Sequence, residues 1–165
     1  MDHRLSRTAQ ATTTSAIRDL LEQARRPGVL SLAGGLPDVD TIPTAALAEL
    51  AADALATRGP EVLQYGPTAG DPALRDWIAA TTPAATAADD VVITTGSQQA
   101  LHLLAQVLVD PGAPVVVGEP EYLGALQAFR ARSARLVPVP IDAEGLDVDH
   151  LATALAAGLR PALVY

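Results

Sequence analysis

The sequence contains neither cysteine nor lysine, and all 11 of its Lys-plus-Arg residues are arginines. The absence of cysteine excludes disulfides and thiolate metal sites. The absence of lysine means that any mechanism needing a side-chain amine must obtain it from elsewhere. Aromatic residues make up only 3% of the chain. This scarcity, beside abundant Ala, Leu and Val, favours helices packed on a Val-rich sheet over an all-β sandwich.

Positive charge and long apolar runs are also scarce. The formal net charge is -8 and the pI is near 4.6, which argues against nucleic acid or an anionic membrane as a partner. No apolar run approaches the roughly eighteen residues of a membrane span, and the start MDHRLSRTAQ lacks the apolar segment of a signal peptide. The three histidines have no metal-ligand spacing, so no metal site is expected. We expect a soluble, cytoplasmic protein.

The apolar pattern predicts alternating helices and strands. Pro43 is expected in the first turn of a helix over 44–57, with Thr41 as its cap, and Asp71 opens a second helix. Strands are predicted at 91–95, 114–117, 136–141 and 162–165, and helices at 97–109, 122–132 and 147–157, the last capped by Asp147. Such alternation predicts an α/β fold with a mostly parallel sheet and helices on both faces. Because the sequence stops within a strand, ALVY, we expect a chain truncated at its C-terminus, whereas the initial Met suggests a genuine N-terminus.

The segment TTGSQQAL, from Thr94 to Leu101, is the strongest candidate site. A β-branched run leads into Gly96, and a helix opens at Ser97. A helix start offers free backbone N–H groups and the positive end of the helix dipole to an anion such as phosphate. The alternative is that Ser97 simply caps the helix.

The stretch GSQQALHLLAQVLVDPG, followed by EPEYLGAL, resembles the cofactor-binding part of class I/II aminotransferases, which are fold-type-I pyridoxal-phosphate enzymes. By that resemblance Gly96, Ser97 and Gln98 hold the cofactor phosphate, and Tyr122 stacks on the pyridine ring. Family members usually carry Thr or Ser before that Tyr, whereas this chain carries Glu121. The alternative for Tyr122 is an aromatic side chain packed into the core at a helix start.

Two upstream segments resemble the same family. LQYGPTAGDPALRDWIA matches the block whose Tyr, here Tyr65, reaches the phosphate of the neighbouring subunit, which implies a homodimer with shared active sites. SLAGGLPD resembles the loop whose glycine backbone, here Gly34 and Gly35, meets the substrate carboxylate. An ordinary turn is the alternative for this glycine pair.

The N-terminal segment resembles the 2-aminoadipate and kynurenine aminotransferase subgroup, with related branched-chain and aromatic enzymes. In that subgroup a mobile N-terminal helix carries a Ser and an Arg facing the substrate side chain, and Ser15 and Arg18 have the same spacing. An Arg there can hold a distal carboxylate by a bidentate pair. The alternative is a solvated Arg on a helix face.

The resemblance implies an N-terminal helical arm and the start of the small domain over 1–50. It implies an incomplete large, pyridoxal-phosphate-binding domain over 51–165. It ends before the Schiff-base lysine and the Asp that pairs with the pyridinium nitrogen, so this chain is expected to be inactive alone. Two alternatives remain open. One is a degenerate, non-catalytic remnant, and the other is the aminotransferase-like sensor domain of a transcription regulator, although no winged helix fits ahead of Ser15.

Overall fold

The computed structural model describes residues 26–30, 32, 35–82 and 87–165. These residues form an α/β structure in two compact units, one ending at Thr94 and one running from Thr95 to Tyr165. The first unit contains α1 (Thr44–Val62), α2 (Pro72–Thr81) and short 3-10 helices at Val39–Thr41 and Ala88–Asp90. The second contains α3 (Gly96–Leu108), β1 (Pro114–Glu119), α4 (Leu123–Ala131), β2 (Arg135–Asp142), β3 (Gly145–Leu146), α5 (Val148–Ala156) and β4 (Leu163–Val164).

The four strands form one sheet in the order β3-β2-β1-β4. Strand β1 pairs in parallel with β2, from Pro114 opposite Arg135 to Glu119 opposite Pro140, and in parallel with β4. Strand β3 is antiparallel to β2 because the two are joined by a tight turn. The predicted α/β class with a mostly parallel sheet is therefore confirmed.

The core of the second unit lies around β1. Val115 and Val117 share one face of the strand and pack with buried side chains of α3 and α4, among them Phe129. Val116 points to the opposite face and is also fully buried, so both faces of β1 are covered. An uninterrupted Val run is typical of a parallel strand covered on both faces, as the sequence predicted.

Two helix starts follow their sequence signals. The Asp71 carboxylate accepts the N–H of Leu74 at 3.0 Å, with Pro72 in the first turn of α2. The Asp147 carboxylate accepts the N–H of His150 at 2.8 Å and caps α5. Each aspartate accepts from a backbone N–H that has no acceptor within its own helix. Because the two residues are only three positions apart, such an N-cap can be predicted from the sequence.

The start and end of α1 differ from the prediction. Pro43 itself stands at the N-cap position, and Thr41 is not the cap, because it belongs to a 3-10 helix and its hydroxyl donates to the Asp38 carbonyl at 2.7 Å. The helix also continues beyond Thr57 to Val62 across a kink at Arg58, whose φ of -132° is not helical. Pro60, just after the kink, lacks the N–H that a regular helix would use.

The strand predicted over 91–95 is wrong, because the described residues there form no ladder. The segment is extended at Val91, but its backbone bonds go elsewhere. The Val91 carbonyl accepts from Arg75 Nε at 2.8 Å, and the Ile93 N–H donates to the Ala69 carbonyl at 2.9 Å. Branched residues favour an extended backbone, but a strand also needs a neighbour to pair with.

No helix among the described residues has both the length and the apolar character needed to cross a membrane.

Gly70 is expected to tolerate no side chain. Its φ is +103°, and a Cβ there would lie 2.4 Å from Ile93 Cγ1. Gly70→Ala should therefore lower the free energy of unfolding by about 1–3 kcal/mol, through strain and overpacking. Urea denaturation measures this. Gly66→Ala is the matched control, since a Cβ there meets nothing within 4 Å. Equal effects of the two substitutions would contradict the prediction.

Stability should fall in acid through two exposed carboxylates of the first unit. The N–H of Leu74, aided by Arg58, lowers the pKa of Asp71 below its ordinary value of 3.8. The bidentate bond from Arg58 lowers the pKa of Glu61 below 4.5. The unfolded chain therefore takes up these protons first as the pH falls. The stabilisation is complete above the ordinary values and is lost as the pH drops through the folded ones.

Asp71→Asn should keep the helix cap and remove its titration, so the midpoint of thermal unfolding should decline less steeply below about pH 5. Asp76→Asn, at an exposed position of α2, is the control and should follow the wild type. An unchanged slope in Asp71→Asn would refute the assignment.

Candidate functional site

The candidate site lies at the carboxyl end of β1. Helix α3 precedes β1 and α4 follows it, so the start of α3, the end of β1 and the start of α4 meet at one edge of the sheet. In open α/β sheets this edge is where ligands bind, because helix starts point N–H groups at it. A bond from Gln98 Nε2 to the Gly124 carbonyl, 3.0 Å long, joins the two helix starts directly.

The first turn of α3 is open to an anion. Gly96 has a φ of +74°, which a glycine adopts without strain. Ser97 is exposed, and its hydroxyl has no hydrogen-bond partner in the part of the chain that the structure describes. The N–H of Thr95 donates to the side-chain oxygen of Gln99 in a short bond. That reach-back bond resembles a capping box and orders the turn without using the Ser97 hydroxyl.

The capping alternative for Ser97 is not supported. The N-cap position of α3 is Thr95, which makes no side-chain capping bond, and Ser97 lies inside the first turn. Gln98 Nε2 donates to the Gly124 carbonyl, which holds the side chain at the start of α4, while its backbone N–H can face an anion. The N–H groups of Ser97 and Gln98 have no acceptor one helical turn earlier, so they can donate to a ligand.

Gly124 brings Gln98 and Tyr122 together. A Cβ on Gly124 would lie 2.6 Å from Gln98 Oε1 and 2.6 Å from the Cε1 and Cζ atoms of Tyr122. The Gln98 amide oxygen and the Tyr122 ring thus approach the same point beside the buried Gly124. Because each lies 2.6 Å from that point, the oxygen and these two ring atoms are separated by no more than twice 2.6 Å. The structure therefore places the predicted ring-stacking residue beside the predicted phosphate site.

The Tyr122 ring is not a core side chain, since 48% of its surface is exposed. This observation removes the core-packing alternative. Its own backbone is firmly held, because its carbonyl accepts the N–H groups of Ala125 and Leu126 at the start of α4. Its N–H donates to Glu121 Oε1 at 2.7 Å. A ring exposed on a fixed backbone is suited to stacking on a flat ligand.

The remaining predicted residues do not belong to the second unit as the structure describes it. Tyr65 belongs to the first unit and is 99% exposed. Gly35 is exposed with a φ of +59°, and a Cβ there would meet nothing. Ser15, Arg18 and Gly34 lie outside the described residues.

No metal centre is found among the described residues, because no three His, Asp or Glu side chains converge there. His102, an exposed residue of α3, points its Nδ1 at the Gln98 carbonyl at 3.0 Å, one turn earlier. It therefore belongs to the surface of α3.

Sequence reasoning missed two residues that shape the site, Gly118 and Gly124. Both are buried, and at both a Cβ would collide with a side chain of the site. The signal was present in VVVGEPEYLGAL, where one glycine directly follows the valine run and another lies two residues past Tyr122. Isolated glycines in regular elements often mark a close approach.

Three comparisons relate this geometry to known proteins. A model of the family described as aminotransferase class I and II matches residues 27–164. The chain is 44% identical over 155 residues to a 2-aminoadipate transaminase of Thermus thermophilus, covering 92% of this chain and 37% of that protein. It is 39% identical over 150 residues to aromatic-amino-acid aminotransferase 1 of Thermococcus litoralis, covering 88% and 36%.

The fold agrees as well. The crystal structure of an alpha-aminoadipate aminotransferase from Thermus thermophilus, complexed with N-(5'-phosphopyridoxyl)-L-leucine, matches with a TM-score of 0.88 and 41% identity. That match covers 98% of this chain and 40% of the other. The chain therefore spans no more than about two fifths of the length of these relatives.

The bond between Gln98 and Gly124 can be tested directly. Gln98→Ala should lower the free energy of unfolding by about 0.5–1.5 kcal/mol, since it leaves a carbonyl of a buried residue without this donor. Gln106→Ala is the matched control, because Gln106 is an exposed residue of the same helix. It should change stability by less than about 0.5 kcal/mol. Urea denaturation of both variants decides, and equal losses would contradict the role given to Gln98.

Proposed function

Because this chain belongs to the class I and II aminotransferase family, we propose that it forms the phosphate- and ring-binding part of a transaminase active site. The reaction moves an amino group between an amino acid and a 2-oxo acid. The cofactor of the family is pyridoxal 5'-phosphate. The observation that carries the proposal is the shared contact at Gly124, which sets the Tyr122 ring beside the first turn of α3.

The residues fit the phosphate of this cofactor. The first turn of α3 carries an exposed Ser97, and the backbone N–H groups of Ser97 and Gln98 have no acceptor one helical turn earlier. Gly96 allows the chain to turn sharply at that point. In the proposed role, the backbone N–H groups of Ser97 and Gln98 and the Ser97 hydroxyl bind the phosphate oxygens, next to the turn at Gly96. The helix dipole adds a favourable term for an anion.

The ring of the cofactor would lie on Tyr122. A half-exposed aromatic face offers dispersion and excludes water from one side of a flat ligand. Contacts to the phosphate and to the ring together orient the cofactor. A cofactor that is already oriented loses less entropy on reaching the transition state. When bound, the cofactor supplies an electron sink for charge developing at the substrate α-carbon.

The amine that such chemistry requires is not in this chain, which contains no lysine. Proton transfer at the α-carbon needs a group of suitable pKa within hydrogen-bond reach, and in this family a lysine amine is expected in that role. We therefore propose that these 165 residues alone bind the cofactor weakly and do not turn over.

We propose amino acids with acidic or aromatic side chains as substrates. The names of the similar proteins, a 2-aminoadipate transaminase and an aromatic-amino-acid aminotransferase, support this class. In the proposal Ser15 and Arg18 face the substrate side chain, and Gly34 and Gly35 meet its carboxylate. We also propose a cytoplasmic homodimer, in which the nearly fully exposed Tyr65 reaches the phosphate of the partner subunit.

Pyridoxamine 5'-phosphate and inorganic phosphate are the probes that test this assignment, because neither has an aldehyde that could react with the N-terminal amine. Ser97→Ala should weaken the binding of both by roughly two- to tenfold, through loss of one hydrogen bond. Tyr122→Leu should weaken the binding of pyridoxamine phosphate by a similar factor and leave the binding of inorganic phosphate unchanged. Isothermal titration calorimetry or phosphorus NMR measures both affinities.

Ser133→Ala, at an exposed serine beyond the end of α4, is the control for the loss of a hydroxyl. If both ligands bind Ser97→Ala and Tyr122→Leu as well as the wild type, the site is elsewhere. Transamination by the wild-type chain supplied with cofactor would contradict its proposed inactivity.

A further inference from the structure

We propose that Glu121 is a positioning residue, whose carboxylate holds the turn between β1 and α4 and thereby sets the Tyr122 ring. This inference rests on the proposed function in one respect, the assignment of Tyr122 to the cofactor ring. Its structural part concerns only contacts within the second unit, so the two can be tested separately.

The carboxylate bridges the two elements that the turn connects. Glu121 Oε2 accepts the N–H of Gly118, near the end of β1, at 3.2 Å. Glu121 Oε1 accepts the N–H of Tyr122, the residue before α4, at 2.7 Å. The side chain is half-buried, so water competes less for these bonds than at an exposed site. Bonds to a charged acceptor are also stronger than bonds between neutral groups.

The N–H of Gly118 needs this acceptor. The carbonyls of Pro114 and Val116 face β4, where they accept from Ala162 and Tyr165. By the two-residue period of a strand, the N–H of Gly118 points to the same side of β1 as these carbonyls. Gly118 is buried, and a buried N–H without an acceptor is costly. The Glu121 carboxylate is the acceptor that this N–H has.

Gly118 also makes the approach possible. A Cβ there would lie 2.9 Å from Glu121 Oε2 and 2.4 Å from Ile141 Cδ1. A larger residue at 118 would therefore push the carboxylate away. The negative charge is further stabilised because it lies at the start of α4, where the helix dipole is positive.

The consequence for Tyr122 is direct. Its N–H is fixed by Glu121, its carbonyl by the first turn of α4, and its ring by close approach to Gly124. A Ser or Thr before the tyrosine, which the family resemblance leads one to expect, has one hydroxyl oxygen on a shorter side chain. A carboxylate has two acceptor oxygens and can serve both N–H groups at once.

The test is amide hydrogen exchange by NMR on the full chain and three variants, Glu121→Ser, Glu121→Gln and Glu119→Ser. In Glu121→Ser the amides of Gly118 and Tyr122 should exchange at least roughly tenfold faster, relative to the amides of Val115 and Val117 as internal references. In Glu121→Gln only one of the two amides should speed up, because an amide group has a single acceptor oxygen. Glu119→Ser, at an exposed neighbouring carboxylate, should change neither.

The position of the ring is read independently of any ligand, by the nuclear Overhauser effect between the Tyr122 ring and the Gly124 α-protons. We expect this effect in the wild type and Glu119→Ser, and a loss of at least half its intensity in Glu121→Ser. Unchanged exchange at both amides, or an unchanged ring contact in Glu121→Ser, would overturn the inference. Because Glu121→Gln keeps one bond, it remains informative if the serine variant does not fold.

A final measurement separates this inference from the proposed function. Glu121→Ser should weaken the binding of pyridoxamine phosphate roughly two- to tenfold, as is expected for Tyr122→Leu, and should leave the affinity for inorganic phosphate unchanged. If the amides and the ring respond as expected but the wild type binds pyridoxamine phosphate no better than phosphate, the assignment of Tyr122 fails and the positioning of its ring stands. If the ratio of affinities is unaffected by Glu121→Ser but falls in Tyr122→Leu, the positioning role fails.

Discussion

Burial of strand β1 is the constraint on which the second unit depends. Its valines fill the core on one face with α3 and α4, while Val116 is buried on the other. The same strand pairs with β2 on one side and β4 on the other. Because α3 leads into β1 and α4 leads out of it, covering this strand brings two helix starts to its carboxyl end. The candidate site thus follows from the way the core is covered.

Close approach at glycines determines the details at that edge. Gly124 lets an amide and an aromatic ring reach the same point, and Gly118 lets a carboxylate reach a strand terminus. These two positions have no catalytic group of their own, yet they control where Gln98, Tyr122 and Glu121 lie. A substitution at either glycine would disturb the candidate site without changing Gln98, Tyr122 or Glu121 themselves. The arrangement explains why a chain with few aromatics places one of its three tyrosines, half exposed, at a helix start.

The sequence predicted the structure correctly where the interacting residues are close together in the chain. Asp71 and Asp147 cap their helices because the acceptor and the donor lie within one turn of each other. The same approach failed at Thr41 and at residues 91–95. Thr41 has a capping side chain but belongs to a 3-10 helix that begins after Asp38. The β-branched run forms no ladder with the residues that the structure describes, and its Val91 carbonyl accepts from Arg75. In both cases a competing hydrogen bond, which residue propensities do not reveal, determined the local structure.

By itself the sequence determined the α/β class, the Asp71 and Asp147 caps, the absence of lysine and the family resemblance, which the family match confirms. All of these depend on composition, period or motif order, which the chain carries without being folded. Only the tertiary structure decided that Gln98 is held by Gly124, that Tyr122 stands half exposed beside the first turn of α3, and that Glu121 serves the end of β1. The physical reason is that these contacts depend on ångström-scale distances across a packed core. Such distances follow from side-chain volumes on neighbouring elements, not from the order of residues along one of them.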